Sequence, residues 1–130
     1  MSERESGGCP RRTADGLPSG AVVTLAEMVG YNEGAIVSRT LAESRTTTIT
    51  VFAFDKGQGL SEHSTPYDAL VLVLDGAAEF TVGGKRHELA AGEAMIMPAN
   101  VPHSVEATHR FKMLLTMFLG SSGCAGCGGA

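Results

Sequence analysis

The sequence contains no tryptophan, few other aromatic residues and only three cysteines, and each shortage narrows the possibilities. Aromatic residues make up 5% of the 130 residues, so the core has to be built mainly from aliphatic side chains. The cysteines, Cys9, Cys124 and Cys127, all lie near the two ends of the chain. We therefore expect no disulfide within the central region, which must be stabilised by packing alone.

An excess of positive charge and long apolar runs are also missing. The formal net charge is -4, which gives no electrostatic attraction to phosphate backbones or to anionic membranes. No apolar run approaches the roughly 20 residues of a membrane-spanning helix. Residues 1–12 lack the apolar stretch of a signal peptide. These absences predict a cytoplasmic protein that binds neither nucleic acid nor membranes.

Composition divides the chain into a central region and two flanking segments. Residues 1–19 are rich in Gly, Ser, Arg and Pro, and residues 120–130 are nearly all small. We predict that the first segment is disordered and that the second is flexible, because neither has an apolar pattern that could form a core. Residues 20–119 have the length of one domain with a single core.

Short β-prone runs, separated by turn residues, follow one another through residues 20–119. Strands are predicted over Val22–Val29, Ala35–Leu41, Thr47–Phe54, Ala69–Leu74, Ala77–Val82, Lys85–Leu89, Ala94–Met97, Ser104–Ala107 and Phe111–Phe118. Asp75-Gly76 predicts a bend, and Gly83-Gly84 predicts a two-residue hairpin turn. Many short strands without a long helical pattern predict an all-β fold with little helix, closed as a barrel or a double-sheet jelly roll.

Residues 57–76 resemble the first sequence motif of the cupin family. That motif reads G, five residues, H-x-H, three or four residues, E, six residues, G. Gly57, His63 and Gly76 fall in register with its outer glycines and its first histidine. Thr65 stands at the position of the second histidine and Ala69 at that of the glutamate. The first motif is therefore degenerate.

Residues 92–107 resemble the second cupin motif, which reads G, five residues, P-x-G, two residues, H, three residues, N. Gly92, Pro98 and His103 match it, whereas Asn100 replaces the glycine of P-x-G and Ala107 replaces the final asparagine. Asparagine adopts left-handed backbone angles more readily than most residues, so it suits that turn. The chain resembles a small, single-domain cupin of the type 2 conserved-barrel kind, which implies a double-stranded β-helix, or jelly-roll barrel.

The resemblance implies a metal site inside that barrel. The metal sites of metal-dependent cupins resemble one another, because three histidines and one glutamate bind the ion. These donors suit Mn, Fe, Ni, Cu or Zn. Only His63 and His103 remain at those positions, so we predict that this pair binds a divalent metal ion with reduced affinity. Two alternatives stay open. The pair is hydrogen-bonded inside a binding cavity without metal, or one histidine acts as a general base without metal.

Other side chains near the predicted barrel mouth are further ligand candidates, namely Gln58, Glu62, Thr65 and His87. Asp68 is adjacent to the lost glutamate position. However, neighbouring residues on a strand point to opposite faces, so Asp68 is expected to face outward if Ala69 faces inward. Cys124 and Cys127 have the spacing of a zinc or redox pair, but a lone pair in a glycine-rich tail favours the absence of a fixed site.

The methionines Met95, Met97, Met113 and Met117 also require an interpretation, since thioethers bind soft metals. Their two-residue spacing on predicted strands favours the simpler interpretation that they fill the barrel core.

For function, the resemblance implies a small-molecule ligand but no single reaction, since cupins include isomerases, epimerases, dioxygenases and sugar-binding sensors. Our first hypothesis is a stand-alone small-molecule-binding cupin, a divalent-metal-dependent enzyme of isomerase or dioxygenase type that uses His63 and His103. The alternative is a non-enzymatic ligand-binding or sensor cupin with a degenerate metal site. Small cupins resemble one another in that they commonly form dimers, so we also expect a homodimer. In that dimer Leu70 and Leu72 are buried between the subunits, while Val71 and Val73 face the cavity.

Overall fold

A computed structural model describes residues 16–120, and these residues form an all-β structure. The strands are β1 (Ile36–Glu43), β2 (Thr47–Phe54), β3 (Gly59–His63), β4 (Ala69–Val82), β5 (Lys85–Ala90), β6 (Ala94–Met97), β7 (His103–Glu106) and β8 (Phe111–Phe118). A 3-10 helix, Leu25–Glu27, precedes them. The prediction of an all-β fold with little helix is confirmed.

Two antiparallel sheets share the long strand β4. Its N-terminal half lies between β8 and β6 in the first sheet, which has the order β1-β2-β8-β4-β6. Its C-terminal half lies between β7 and β5 in the second sheet, which has the order β3-β7-β4-β5. One core cluster joins side chains from both sheets, so the sheets face each other as the two layers of a jelly-roll barrel.

The bend predicted at Asp75-Gly76 is the place where β4 passes from the first sheet to the second. The two strands predicted on either side of it form one continuous strand, with an irregular register between Val73 and Asp75. Gly76 has a φ of 75°, and a Cβ atom there would overlap the carbonyl oxygen of Arg110. Glycine is therefore required at this corner for two reasons, its backbone angle and the close approach of β8.

Side chains along the strands alternate between the space inside the barrel and its outer surface. Val71 and Val73 are fully buried, whereas Leu70 and Leu72 are partly exposed on the opposite face, as predicted. The predicted packing role of the methionines is confirmed, since all four belong to the core cluster or pack against it, namely Met95, Met97, Met113 and Met117.

Three phenylalanines fill one end of the space between the sheets. Phe54, Phe80 and Phe111 are each 0% exposed. The rings of Phe54 and Phe111 stack with centroids 4.6 Å apart, and Phe80 meets Phe111 edge-on at 6.1 Å. Both arrangements are favourable for aromatic quadrupoles. We call this part of the barrel, defined by these three residues, the aromatic end.

The predicted strand over Val22–Val29 is wrong. Residues 21–24 pair with no strand among the described residues, and a 3-10 helix follows. Leu25, Met28 and Val29 of this segment instead cover the outer face of the first sheet. A second cluster forms there from Val29, Leu41, Val51 and Ala53, with Leu25, Met28 and Tyr31 packed against it. Burial of an apolar sheet face outweighed the β propensity of the segment.

Polar contacts also fasten this N-terminal segment to the barrel. The Tyr31 hydroxyl donates a hydrogen bond of 2.5 Å to the Asp75 carboxylate, and burial, reinforced by that bond, raises the pKa of Tyr31 far above its ordinary value. The Lys112 ammonium donates a hydrogen bond of 2.5 Å to the Ala26 carbonyl and lies 5.0 Å from the centre of the Tyr31 ring. The segment is therefore a fixed part of the fold.

The ends of the chain are only partly described. Residues 1–15 and 121–130, with Cys9, Cys124 and Cys127, lie outside the described residues, so the predictions for the flanking segments and for the bounds 20–119 stay predictions. The amides of Leu17 and Leu119 donate hydrogen bonds to the carbonyls of Leu41 and Thr46. Within the described part, no helix has the length and hydropathy that a membrane span needs.

Candidate functional site

His63 and His103 come together at the end of the second sheet, one inner row beyond Phe80. His63 is the last residue of β3 and His103 the first of β7, and the register of these strands places them directly opposite each other. Their ring centroids lie 4.5 Å apart at an interplanar angle of 64°. Val82, at the end of β4, pairs with His103 on its other side. We call the region defined by His63, His103 and Val82 the histidine end.

Backbone carbonyls hold both imidazoles in the same way. Nδ1 of His63 lies 2.9 Å from the Ser61 carbonyl oxygen, and Nδ1 of His103 lies 3.1 Å from the Val101 carbonyl oxygen. A carbonyl oxygen can only accept a hydrogen bond, so each Nδ1 has to carry the proton. In the neutral imidazole the proton is then absent from Nε2, which leaves a lone pair on each ring.

Burial makes these lone pairs chemically significant. His103 is only 7% exposed and is the one buried polar residue among residues 16–120, whereas His63 is exposed. No hydrogen bond within the described part of the chain reaches Nε2 of either ring. Buried polar atoms are nearly always paired, so Nε2 of His103 is an acceptor without a partner among residues 16–120, on a ring that lies beside a second imidazole.

The two missing family ligands are not replaced at their own positions. Ala69 is 5% exposed and faces inward, and the register places it between Met97 on β6 and Met117 on β8. Thr65 donates its hydroxyl to the Tyr67 carbonyl at 3.1 Å, which stabilises the loop before β4. The positions of the second histidine and of the glutamate therefore supply neither a nitrogen nor a carboxylate donor.

Asp68 does not compensate for the lost glutamate. Its side chain is exposed, as predicted, and its carboxylate accepts a 2.8 Å hydrogen bond from the Ala99 amide. Asn100 has a φ of 64°, which confirms that it adopts the left-handed geometry of the turn. Its amide donates to the Thr65 carbonyl at 2.7 Å. These bonds hold the loop that carries His103 against the loop that follows His63.

The remaining candidates do not complete a metal site either. Gln58 pairs through its backbone with Ala107, and Glu62 is exposed on β3. His87 lies on β5 opposite Phe80, and two strands, β7 and β4, separate β5 from β3. Within residues 16–120, no three side chains of His, Cys, Asp or Glu converge in a group able to hold a metal ion. The protein therefore offers two close nitrogen donors.

One residue of this region was missed in the sequence. Lys85 pairs with Val82 across the Gly83-Gly84 turn, and Val82 pairs with His103. Because directly opposed residues in an antiparallel pair point to the same face, Lys85 shares the inner face with the histidine. The sequence did contain a signal for this placement, because a two-residue hairpin turn sets its flanking residues, here Val82 and Lys85, opposite each other. Using that signal required knowing that Val82 points inward.

The sequence profile of the cupin domain family matches residues 50–118. This range runs from the middle of β2 to the end of β8 and contains both histidines. No curated protein sequence matches the chain.

Solved structures of similar proteins have the same fold. A conserved protein of unknown function from Streptococcus pyogenes is 37% identical, with a TM-score of 0.74 over 78% of this chain and 90% of that one. A cupin 2 conserved barrel domain protein from Leptotrichia buccalis is 47% identical, with a TM-score of 0.69 over 72% of this chain and 45% of that one. A cupin superfamily protein from Desulfitobacterium hafniense is 29% identical, with a TM-score of 0.76 over 84% of this chain and 99% of that one.

Proposed function

The chain belongs to the cupin domain family, and on that premise we propose that it binds a small molecule at the histidine end, beside a divalent metal ion held by His63 and His103. The observation that carries the proposal is a pair of Nε2 atoms, on imidazoles whose centroids lie 4.5 Å apart, that have no hydrogen-bond partner in the described chain. One of them belongs to the buried His103. A ligand or an ion that accepts their lone pairs would satisfy both.

The donor set fits such an ion in part. Neutral imidazole nitrogen suits Mn, Fe, Ni, Cu and Zn, and the carbonyls of Ser61 and Val101 orient the two rings as outer hydrogen-bond partners commonly do in metal sites. Two protein ligands leave the other coordination positions to water or to the bound molecule. A metal ion here would supply Lewis acidity, polarising an oxygen of the ligand or activating a bound water.

Metal analysis of protein purified without a histidine tag tests this proposal. The protein is loaded with Mn, Fe, Ni, Cu and Zn in turn. For at least one of these metals we expect about one bound ion per chain. His63→Ala and His103→Ala should weaken binding by more than the roughly 10- to 100-fold that loss of an outer partner costs. His109→Ala is the matched control, since His109 is exposed and its side chain hydrogen-bonds only to Thr108 among the described residues. Equal loss in all three variants would contradict a site at the pair.

A second candidate function is ligand binding without metal and without catalysis. It is favoured by Ala69, an inward-facing residue without charge at the position where the family has its carboxylate. In that case the two Nε2 atoms accept hydrogen bonds from hydroxyl or amide groups of the ligand. Refolding in the presence of each ion distinguishes the candidates, because a protein that stays free of metal and still binds small molecules supports the second.

We also infer that two copies associate through the outer face of the first sheet. Leu70 on β4 lies opposite Ile96 on β6, and Ile96 is 50% exposed. The N-terminal segment packs over Leu74 and Leu114 on the same face. An uncovered apolar sheet face is typical of a two-fold interface.

Light scattering on the full chain tests the dimer. Ile96→Glu should give a monomer, while Val22→Glu, at a residue that is 100% exposed, should leave the dimer intact. A monomeric wild-type protein would refute the inference.

A further inference from the structure

We propose that Lys85, at the start of β5, binds a carboxylate group of the small molecule held at the histidine end. The inference rests on the proposed ligand site and adds the chemical class of its ligand, a small organic acid. It is carried by the register of the second sheet, by the free ammonium group of Lys85 and by the distribution of charge over the two faces of that sheet.

The strand register places Lys85 and both histidines in one row, that is, in a line of directly paired residues that runs across the second sheet. His63 pairs with His103, His103 with Val82, and Val82 with Lys85. The inward direction of the row is fixed by the core, because Val82 packs against the core cluster and Leu89 on β5 belongs to it. Neighbouring strands lie about 4.8 Å apart, so Lys85 begins roughly 10 Å from His103, a distance that a lysine side chain and a small ligand span together.

Lys85 has no ion-pair partner among the described residues, whereas three other cations of the barrel are already engaged. Arg110 pairs with Asp55 at 2.7 Å, Arg86 pairs with Glu79 at 3.4 Å, and Lys112 is bound to the Ala26 carbonyl. Lys85 makes no hydrogen bond or ion pair with any other described residue. Its side chain is exposed at the rim, so solvent and ligands can reach it.

Charge is divided between the two faces of the second sheet. The inner rows hold no carboxylate: one contains Lys85 with the two histidines, and the next pairs Val105 with Phe80 and Phe80 with His87. Three glutamates instead occupy a single row on the outer face, namely Glu106, Glu79 and Glu88. The chain as a whole has a net charge of -4. On this inner face, however, the row that contains Lys85 has no carboxylate, so an anion bound there meets no charge repulsion from that row.

The surroundings favour a carboxylate over a phosphate. A single lysine offers one compact positive charge, which matches a monoanion, while a phosphate usually requires several donors or a guanidinium fork. The neighbour of Lys85 across the turn is the apolar, partly buried Val82, which would contact a hydrocarbon part of the ligand. A small molecule with one acid group and an apolar or sugar-like body fits this environment.

Titrations followed by nuclear magnetic resonance test the proposal on the full chain, with and without added zinc. The probes are benzoate against benzamide, glucuronate against glucose, and inorganic phosphate. We expect each acid to bind about tenfold more tightly than its neutral counterpart, as one ion pair of ordinary strength provides. Lys85→Met should abolish this preference and Lys85→Arg should largely keep it. Arg86→Met, next in the chain but on the outer face, should leave the preference unchanged.

Several outcomes would overturn the proposal. These are equal binding of acids and neutral counterparts, a preference that survives in Lys85→Met, phosphate binding more tightly than both acids, or no binding of either acid. The metal content of Lys85→Met separates this inference from the proposed metal site. Acid binding through Lys85 in a protein that takes up no metal would refute only the metal, whereas metal uptake without any preference for acids would refute only the role of Lys85.

Discussion

The aromatic end and the histidine end of the barrel follow the same strand alternation, yet they differ in how completely their inward side chains are buried. At the aromatic end, Phe54, Phe80 and Phe111 are each 0% exposed and contact one another. At the histidine end, His103 is buried, but His63 and Lys85 are exposed and Met117 is only partly buried. One end is filled by protein, and the other is open to solvent.

The difference indicates that stability and binding are supplied by separate parts of one small core. Close-packed aromatic rings contribute most where no ligand has to enter. A buried polar atom without a hydrogen-bond partner lowers stability, as Nε2 of His103 does with respect to residues 16–120, and such atoms occur where a ligand can offset that loss. The comparison predicts that substitutions at the two ends affect different properties, and three experiments test that separation.

The largest expected effect is on stability at the aromatic end. Phe111→Ala removes a ring that contacts both Phe54 and Phe80 and should lower the free energy of unfolding by about 3–5 kcal/mol. Met117→Ala, on the same strand at the other end, should cost less because Met117 is only partly buried. Chemical denaturation measures both. Equal losses would show that the two ends are packed alike, against the comparison.

A substitution at the histidine end should instead alter metal binding. Ala69→Glu restores the carboxylate of the family pattern at an inward-facing position, and we expect tighter binding of zinc or manganese, because a charged oxygen ligand joins two imidazoles. Ala69→Gln has the same shape without the charge and is the control. Binding isotherms that improve equally in both variants, or in neither, would contradict a metal site that a carboxylate at position 69 can reach.

The smallest expected effect concerns pH and an ion pair near the aromatic end. Hydrogen bonds from Arg110 and from the Gly34 amide hold the pKa of Asp55 below its ordinary value. A carboxyl whose pKa is lower in the folded state stabilises the fold above its unfolded pKa of about 3.9. That contribution is lost as the pH falls through the lower folded value.

Asp55→Asn should therefore reduce the melting temperature slightly at neutral pH, and the difference from wild type should shrink below about pH 4. Thermal melts over a pH series measure this. A difference that is constant with pH would show that the carboxylate charge of Asp55 does not contribute, and metal binding at the other end should be unaffected throughout.

Much of the fold was predictable because local patterns specify it. Thr47–Phe54, Ala94–Met97 and Phe111–Phe118 were predicted with the bounds that the structure has, since β-branched and apolar residues with clear turn signals favour strands without help from distant residues. The left-handed backbone geometry of Asn100 was likewise predictable from the local sequence. The errors arose where contacts with residues distant in the sequence decided the local structure. The segment Val22–Val29, for example, packs over a sheet face and does not join a sheet as a strand.

The sequence by itself determined most of the strands and turns, the alternation of inner and outer residues and the identity of the two histidines. Each of these depends on neighbours in the chain, through backbone angles and side-chain period. Only the tertiary structure decided that β4 runs unbroken through both sheets, that Tyr31 reaches Asp75 and that Lys85 shares a row with His63 and His103. Those features depend on which strands pair, and pairing is settled by burial across the whole barrel rather than by any local stretch of sequence.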